Sequence, residues 1–188
     1  MKIPIGPEDL TVTWLTEALR MRGTLKRGQV ASCTTEVLGG TKGALGQVAR
    51  LSRSYDLVQE NAPRSLIAKF GPPDPELRIS LNQSGLYERE IRFYQELADQ
   101  VAFRTPDCCY SAWDAETGEF VLLLEDLAPA QNGERAVGCS LLEAEPAIRE
   151  IAKFHAAWSQ DPHLLQQEWL RYFSTPAVHQ QRQDLALV

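Results

Sequence analysis

Excess basic charge is the first thing this 188-residue chain lacks: 19 lysines and arginines stand against 25 aspartates and glutamates, leaving a net charge of −6. With no block of like charges either, the electrostatic footprint of a general nucleic-acid binder is missing, and any bound polyanion needs a local site. Runs of about eighteen uncharged apolar residues, the length a membrane-spanning helix requires, are absent as well. The opening stretch MKIPIGPEDLTVTWLTEALR holds no continuous apolar segment of the kind a secretion signal carries. These absences predict a soluble cytoplasmic protein with neither nucleic-acid nor membrane partners. They leave its oligomeric state open.

The four cysteines are too few and too irregular for a redox or zinc framework: Cys108 and Cys109 are adjacent, while Cys33 and Cys139 stand alone. They read as reduced, structural thiols. Of the three histidines, His163 and His179 have no carboxylate or cysteine at ligand spacing. His155 falls on an apolar helical stripe, where a histidine is ordinarily a hydrogen-bonded core residue. No metal site is expected among them. Internal repeats and low-complexity segments are also missing.

What is present is a globular composition, 44% hydrophobic and 23% charged. That suffices for one ordinary core or two small lobes burying roughly 70% of the unfolded surface. LTVTWLTEALRMRG offers Thr11 as an N-cap, Trp14, Leu15, Ala18 and Leu19 as an apolar stripe, and Gly23 as a stop, which predicts a short amphipathic helix. VASCTTEVL, QVARLSRSY and RSLIAKF follow as strand candidates, punctuated by GGTKGALG, DLVQENAP and the turn-rich GPPDPE. SGLYEREIRFYQELADQ places Leu86, Ile91, Tyr94 and Leu97 at helical spacing, with Arg89 and Arg92 on other faces. CCYSAWD and EFVLLLED then flank AETG as a hairpin, the second run apolar on both faces as a covered strand must be. The sum is a sheet of about five strands.

Beyond it LAPAQNGERAVGC is a connector, and SLLE at 140–143 offers a capping box for a helix carrying Ile148, Ile151, Ala152, His155 and Trp158. Pro146 would be the sixth residue of that helix and would remove a backbone donor. This moves the expected start to Glu145, with Pro146 at the first helical position. The remainder, from DPHLLQQEWLRYF to QRQDLALV, reads as helical and ends on Leu185, Leu187 and Val188 without a cap, like an interruption. Trp14, Trp113, Trp158 and Trp169 read as packing anchors rather than a stacking surface.

Three stretches carry candidate chemistry. SLIAKF ends an apolar run on the ammonium of Lys69; taken alone, this reads as an edge-strand lysine with its stem packed and its head in water. GGTKGALG holds Gly40, Gly43 and Gly46 spaced by threes, a glycine-rich hairpin loop whose amides could also approach an anion. It is not a Walker motif, since Thr41 precedes Lys42 and a strand follows. LLLEDLAP ends a covered strand on Glu125, Asp126 and Leu127, either as caps of a solvated strand end or as a segment whose backbone meets a ligand.

The stretches SLIAKF, YEREIRFYQELA, RTPDCCYSAWDAETGEFVLLLEDLAPA and GCSLLEAEPAIREIAKFHAAW, in this order, resemble the aminoglycoside phosphotransferase and choline-kinase-like superfamily, in particular its ecdysteroid-kinase-like branch. The resemblance spans about residues 8–170. It implies an α+β fold: the N-terminal lobe of a protein-kinase-like fold, a five-stranded antiparallel sheet with a packed helix, preceded by a helix and followed by linker helices. The boundaries expected are a helix over 1–23, the lobe over 24–127, and over 128–188 a connector and the start of a truncated second lobe.

It also implies ATP and Mg2+ as cofactors and a small-molecule acceptor. Phosphoryl transfer asks for charge neutralisation and positioning, which gives a strand lysine such as Lys69 a role at the phosphates. A carboxylate on the neighbouring helix would orient it, and Glu90 matches that family position. Glu88, two residues away and so about 200° around the helix, could not face the lysine at the same time. Gly40, Thr41, Lys42 and Gly43 fall where the family has its loop over the phosphates, and Glu125, Asp126 and Leu127 where its backbone meets the adenine edge. The family's His-Gly-Asp…Asn segment and later Asp, which orient the acceptor and hold magnesium, do not occur here. The expectation is therefore the nucleotide-binding part of a small-molecule kinase, inactive alone, with an apolar helix face at 147–158 prone to association. The alternative is a non-catalytic interaction or pseudokinase module that keeps the lobe's fold.

Overall fold

The computed structural model describes residues 1–38, 45–57, 62–130, 138–159 and 161–171. They divide into two compact units, Met1–Gln95 with Pro106–Asp126, and Glu96–Thr105 with Leu127–Val188.

The first unit is built on one antiparallel sheet of five strands: β1 (Val30–Leu38), β2 (Gln47–Tyr55), β3 (Ser65–Phe70), β4 (Cys108–Trp113) and β5 (Phe120–Glu125). The spatial order is β1-β2-β3-β5-β4, so β3 and β5 are interior. Alternation decides which residues each face receives. On β3, Leu66, Ala68 and Phe70 are buried while Ser65, Ile67 and Lys69 point the other way. On β5 every residue from Phe120 to Leu124 is buried, because both faces are covered.

Helix α1 (Val12–Met21) covers one face. It is capped by the Thr11 hydroxyl, which accepts from Trp14 N, and Gly23 follows its end at φ +74°. Its Leu15, Ala18 and Leu19 pack with Leu51, Leu66, Phe70, Val121 and Leu123. Helix α3 (Leu86–Arg92) covers part of the opposite face, where Tyr87 and Ile91 meet Phe120, Leu122 and Leu124. Each leucine buried in this way contributes about 1.5–3 kcal/mol, so α3 is held to the sheet by its own apolar stripe.

Two expectations about this unit are corrected. The stretch after β3, read as a turn, contains helix α2 (Pro75–Gln83), capped by the Asp74 carboxylate with Pro75 at the first position. Its Arg78, 7% exposed, donates to the carbonyls of Pro72 and Thr117 and so ties the end of β3 to the β4–β5 turn. The helix expected over 84–100 is instead α3, a π-helical turn at Phe93–Leu97 and a 3-10 turn at Ala98–Gln100. Tyr87, absent from the predicted stripe, is its most deeply packed aromatic residue.

The second unit contains α4 (Leu141–Trp158), α5 (Pro162–Leu165) and α6 (Glu168–Arg171). Helix α4 begins at Leu141 rather than at Glu145, with Pro146 inside it. The Ser140 hydroxyl accepts from Glu143 N, and the Glu143 carboxylate accepts from Ser140 N at 2.8 Å. This box satisfies two end donors. The bond Pro146 cannot make belongs to the carbonyl of Leu142, whose residue is 84% exposed and lies within reach of water. Leu141, Leu142, Ile148 and Ile151 of α4 are all more than half exposed. His155 is exposed too, in contrast to the core position expected for it. Phe154 packs edge-on against Phe103 with ring centroids 5.6 Å apart. The helical reading of 172–188 lies outside the described residues. No described helix is long and apolar enough to cross a membrane.

Candidate functional site

Lys69 sits in the middle of the sheet, cross-strand from Val48 on β2 and Leu122 on β5. It is therefore not the edge-strand lysine that the stretch suggests on its own. Strand alternation sends its side chain to the α3 side of the sheet, and there its ammonium pairs with the Glu90 carboxylate. Glu90 is placed by its neighbour Ile91, 1% exposed, which docks α3 on Leu122 and Leu124. Glu88 turns away and accepts from Arg92 Nε at 2.9 Å, an i,i+4 pair along the helix. The side chains of Lys69 and Glu90 remain 31% and 34% exposed, so the pair is open to a ligand.

The face around the ammonium is graded. Near Glu90 stands Tyr94, whose hydroxyl pKa is pushed up to about 12, by burial first and then by the charges of Glu90 and Cys108. Tyr94 lies in the π-helical turn that follows Glu90, an irregularity that recurs at functional sites. Toward β1 the same face carries Leu38, Val48 and Ile67, all half-buried. A cation thus lies beside a partly exposed apolar strip on one sheet surface.

At the far end of that strip, Arg50 Nε donates to Asp126 Oδ2 at 2.8 Å, with Glu36 Oε2 at 3.5 Å from the same guanidinium. The Asp126 side chain is 4% exposed. It therefore does not cap a solvated strand end. Glu125 donates its amide to the Asp107 carbonyl, and the Leu127 carbonyl accepts from Ala130 N. Gly46 opens β2 at φ +153°, and a side chain there would come within 2.3 Å of the Phe70 carbonyl oxygen. Only glycine lets the two strands approach so closely. Gly40, Thr41, Lys42 and Gly43 lie outside the described residues.

The model of the ecdysteroid kinase-like family matches residues 42–184. The chain belongs to that family. Its kinase-like phosphotransferase fold is the five-stranded sheet with α3 packed beneath it. No curated protein and no solved structure matches the chain.

In this ecdysteroid kinase-like lobe, sequence reasoning found Lys69 and Glu90 but missed Arg50. Period-two alternation puts Arg50 on the same face as Val48, but only the register of β2 with β3 makes that the Lys69 face. Tyr94, expected on the inward stripe, lies in the π-helical turn and is half-buried. The donor set suits a nucleotide, with an ammonium for phosphates and an apolar strip for a base. Among the described residues no group of three His, Cys, Asp or Glu could hold a metal ion.

Proposed function

We propose that this chain is the nucleotide-binding lobe of an ATP-dependent phosphotransferase acting on a hydroxyl of a small metabolite. The ion pair of Lys69 and Glu90, joined across β3 and α3 yet open on one side, carries this reading. Bound ATP would supply the phosphoryl group. Lys69 holds and partly neutralises its phosphate oxygens, a contribution that grows where low-dielectric walls such as Val48 and Leu122 flank the charge. Glu90 keeps the ammonium aimed, so that little reorganisation is needed when phosphate arrives. Leu38, Val48 and Ile67 would offer surface for the base, and the backbone at Glu125 and Asp126 would read its edge. Gly40, Thr41, Lys42 and Gly43, outside the described residues, are proposed as phosphate contacts through backbone amides. The described residues provide no magnesium cradle, and the 188 residues hold no His-Gly-Asp segment to orient an acceptor.

A thermal-shift titration with Mg-ATP tests the reading. Wild type should gain stability with nucleotide concentration, by mass action on the folded state. Lys69→Ala should lose most of that gain. Identical responses of the two proteins would remove the nucleotide site.

A further inference from the structure

Arg50 and Asp126 belong to strands that are not neighbours. β3 lies between β2 and β5, and two strand spacings amount to about 9.6 Å. Arg50 is cross-strand from Ile67, and Asp126 directly follows Glu125, the partner of Leu66. The Arg50 side chain must therefore cross β3 over Ile67 to reach Asp126. It does so on the surface that carries Lys69, about two residues or 7 Å away along β3. The carboxylate it reaches is 4% exposed, and the guanidinium is 34% exposed. A carboxylate that buried is stabilised by a counter-charge, and Arg50 supplies one through a charge-assisted hydrogen bond.

We propose that Arg50 is a positioning residue for base recognition: by anchoring the Asp126 side chain, it fixes the peptide groups on either side of Asp126 that read the edge of the nucleotide base. This inference rests on the nucleotide reading of the Lys69 face and deepens it. It divides the surface into two ends. The Lys69–Glu90 end senses phosphate charge and is indifferent to the base. The Arg50–Asp126 end senses the base and is indifferent to phosphate. Because the Asp126 carboxylate is occupied by Arg50, recognition at this end falls to the main chain. Main-chain recognition is only as selective as the backbone is rigid.

The test compares ATP, GTP and inorganic tripolyphosphate as competitors of a fluorescent ATP analogue, on wild type, Arg50→Lys, the double variant Arg50→Met/Asp126→Asn, and Lys69→Met. The double variant removes both charges together, so that no buried carboxylate is stranded. Arg50→Lys keeps a cation and serves where the double variant fails to fold. With the pair gone, ATP should bind about tenfold more weakly, the ratio of ATP to GTP affinity should move toward one, and tripolyphosphate should be unchanged. Arg50→Lys should show the same pattern more weakly, and Lys69→Met should weaken all three ligands alike. If the Arg50 variants bind ATP as wild type does, or lose ATP and tripolyphosphate equally, Arg50 has no base-positioning role, while the nucleotide reading stands. If wild type binds none of the three, or Lys69→Met binds as wild type, the nucleotide reading falls and this inference falls with it.

Discussion

A double-mutant cycle on Lys69 and Glu90 separates a site from a structural ion pair. Lys69→Met removes the ammonium and keeps most of the stem, and Glu90→Gln keeps the shape of the acid without its charge. Both side chains are about one-third exposed, so solvent screens the attraction and the coupling in folding stability is expected at about 1 kcal/mol or less. A charge-assisted hydrogen bond to a phosphate contributes more, about 1.5–3 kcal/mol. At ~1.4 kcal/mol per decade, Lys69→Met should weaken a fluorescent ATP analogue by about 10–150-fold. On the proposed nucleotide reading, Glu90 would act on the phosphate only through the lysine. Its replacement should cost about 2–12-fold, the equivalent of an ordinary hydrogen bond of ~0.5–1.5 kcal/mol, when Lys69 is present. In the Lys69→Met background it should cost nothing further. Affinity is read by fluorescence titration at fixed ionic strength and stability by urea denaturation. Equal losses from Glu90→Gln in both backgrounds would show that Glu90 does not act through Lys69. A loss of more than about 3 kcal/mol of stability in Lys69→Met, well above an exposed pair's worth, would make the lysine a core residue.

Other expectations follow from the same geometry. Ile91→Ala empties a position that is 1% exposed and should lower stability by about 2–5 kcal/mol; because Ile91 docks the helix that carries Glu90, nucleotide affinity should fall too, and urea unfolding together with ligand titration checks both. Gly46→Ala places a carbon 2.3 Å from the Phe70 carbonyl oxygen at φ +153°, so β2 or β3 must shift at a cost of about 1–3 kcal/mol; an unchanged melting temperature would contradict the close approach. The Glu143 carboxyl is held below its ordinary value by the Ser140 backbone N–H and then by the Ser140 hydroxyl. Its cap therefore contributes fully above the ordinary glutamate range and fades as pH falls through the lowered value. Circular dichroism between neutral and acid pH should show α4 fraying in wild type, and Glu143→Gln should flatten that dependence.

Much of the fold was legible because its signals are local. Thr11 and Ser140 cap helices through bonds within three residues, and the unbroken apolar run of β5 marks a strand covered on both sides. Helix α2 was missed although Asp74 and Pro75 form a capping pair, because a proline-rich stretch reads first as a turn. The start of α4 was misplaced because the penalty of Pro146 was set above a complete capping box. At the site, Lys69 taken alone reads as an edge-strand lysine; the family resemblance gives it a role and matches Glu90 as its partner, and helical geometry keeps Glu88 from facing it at the same time.

The sequence by itself determined the five strands, the capped helix α1 and which faces are apolar, since these follow from periodicity and neighbouring bonds, and its family resemblance made Lys69 and Glu90 the candidates for pairing. Only the tertiary structure decided that β3 lies inside the sheet rather than at its edge, and that Arg50 crosses it to bury Asp126. Strand order is set by pairing between segments far apart in the chain, and a contact across 76 positions leaves no trace in the spacing of either residue.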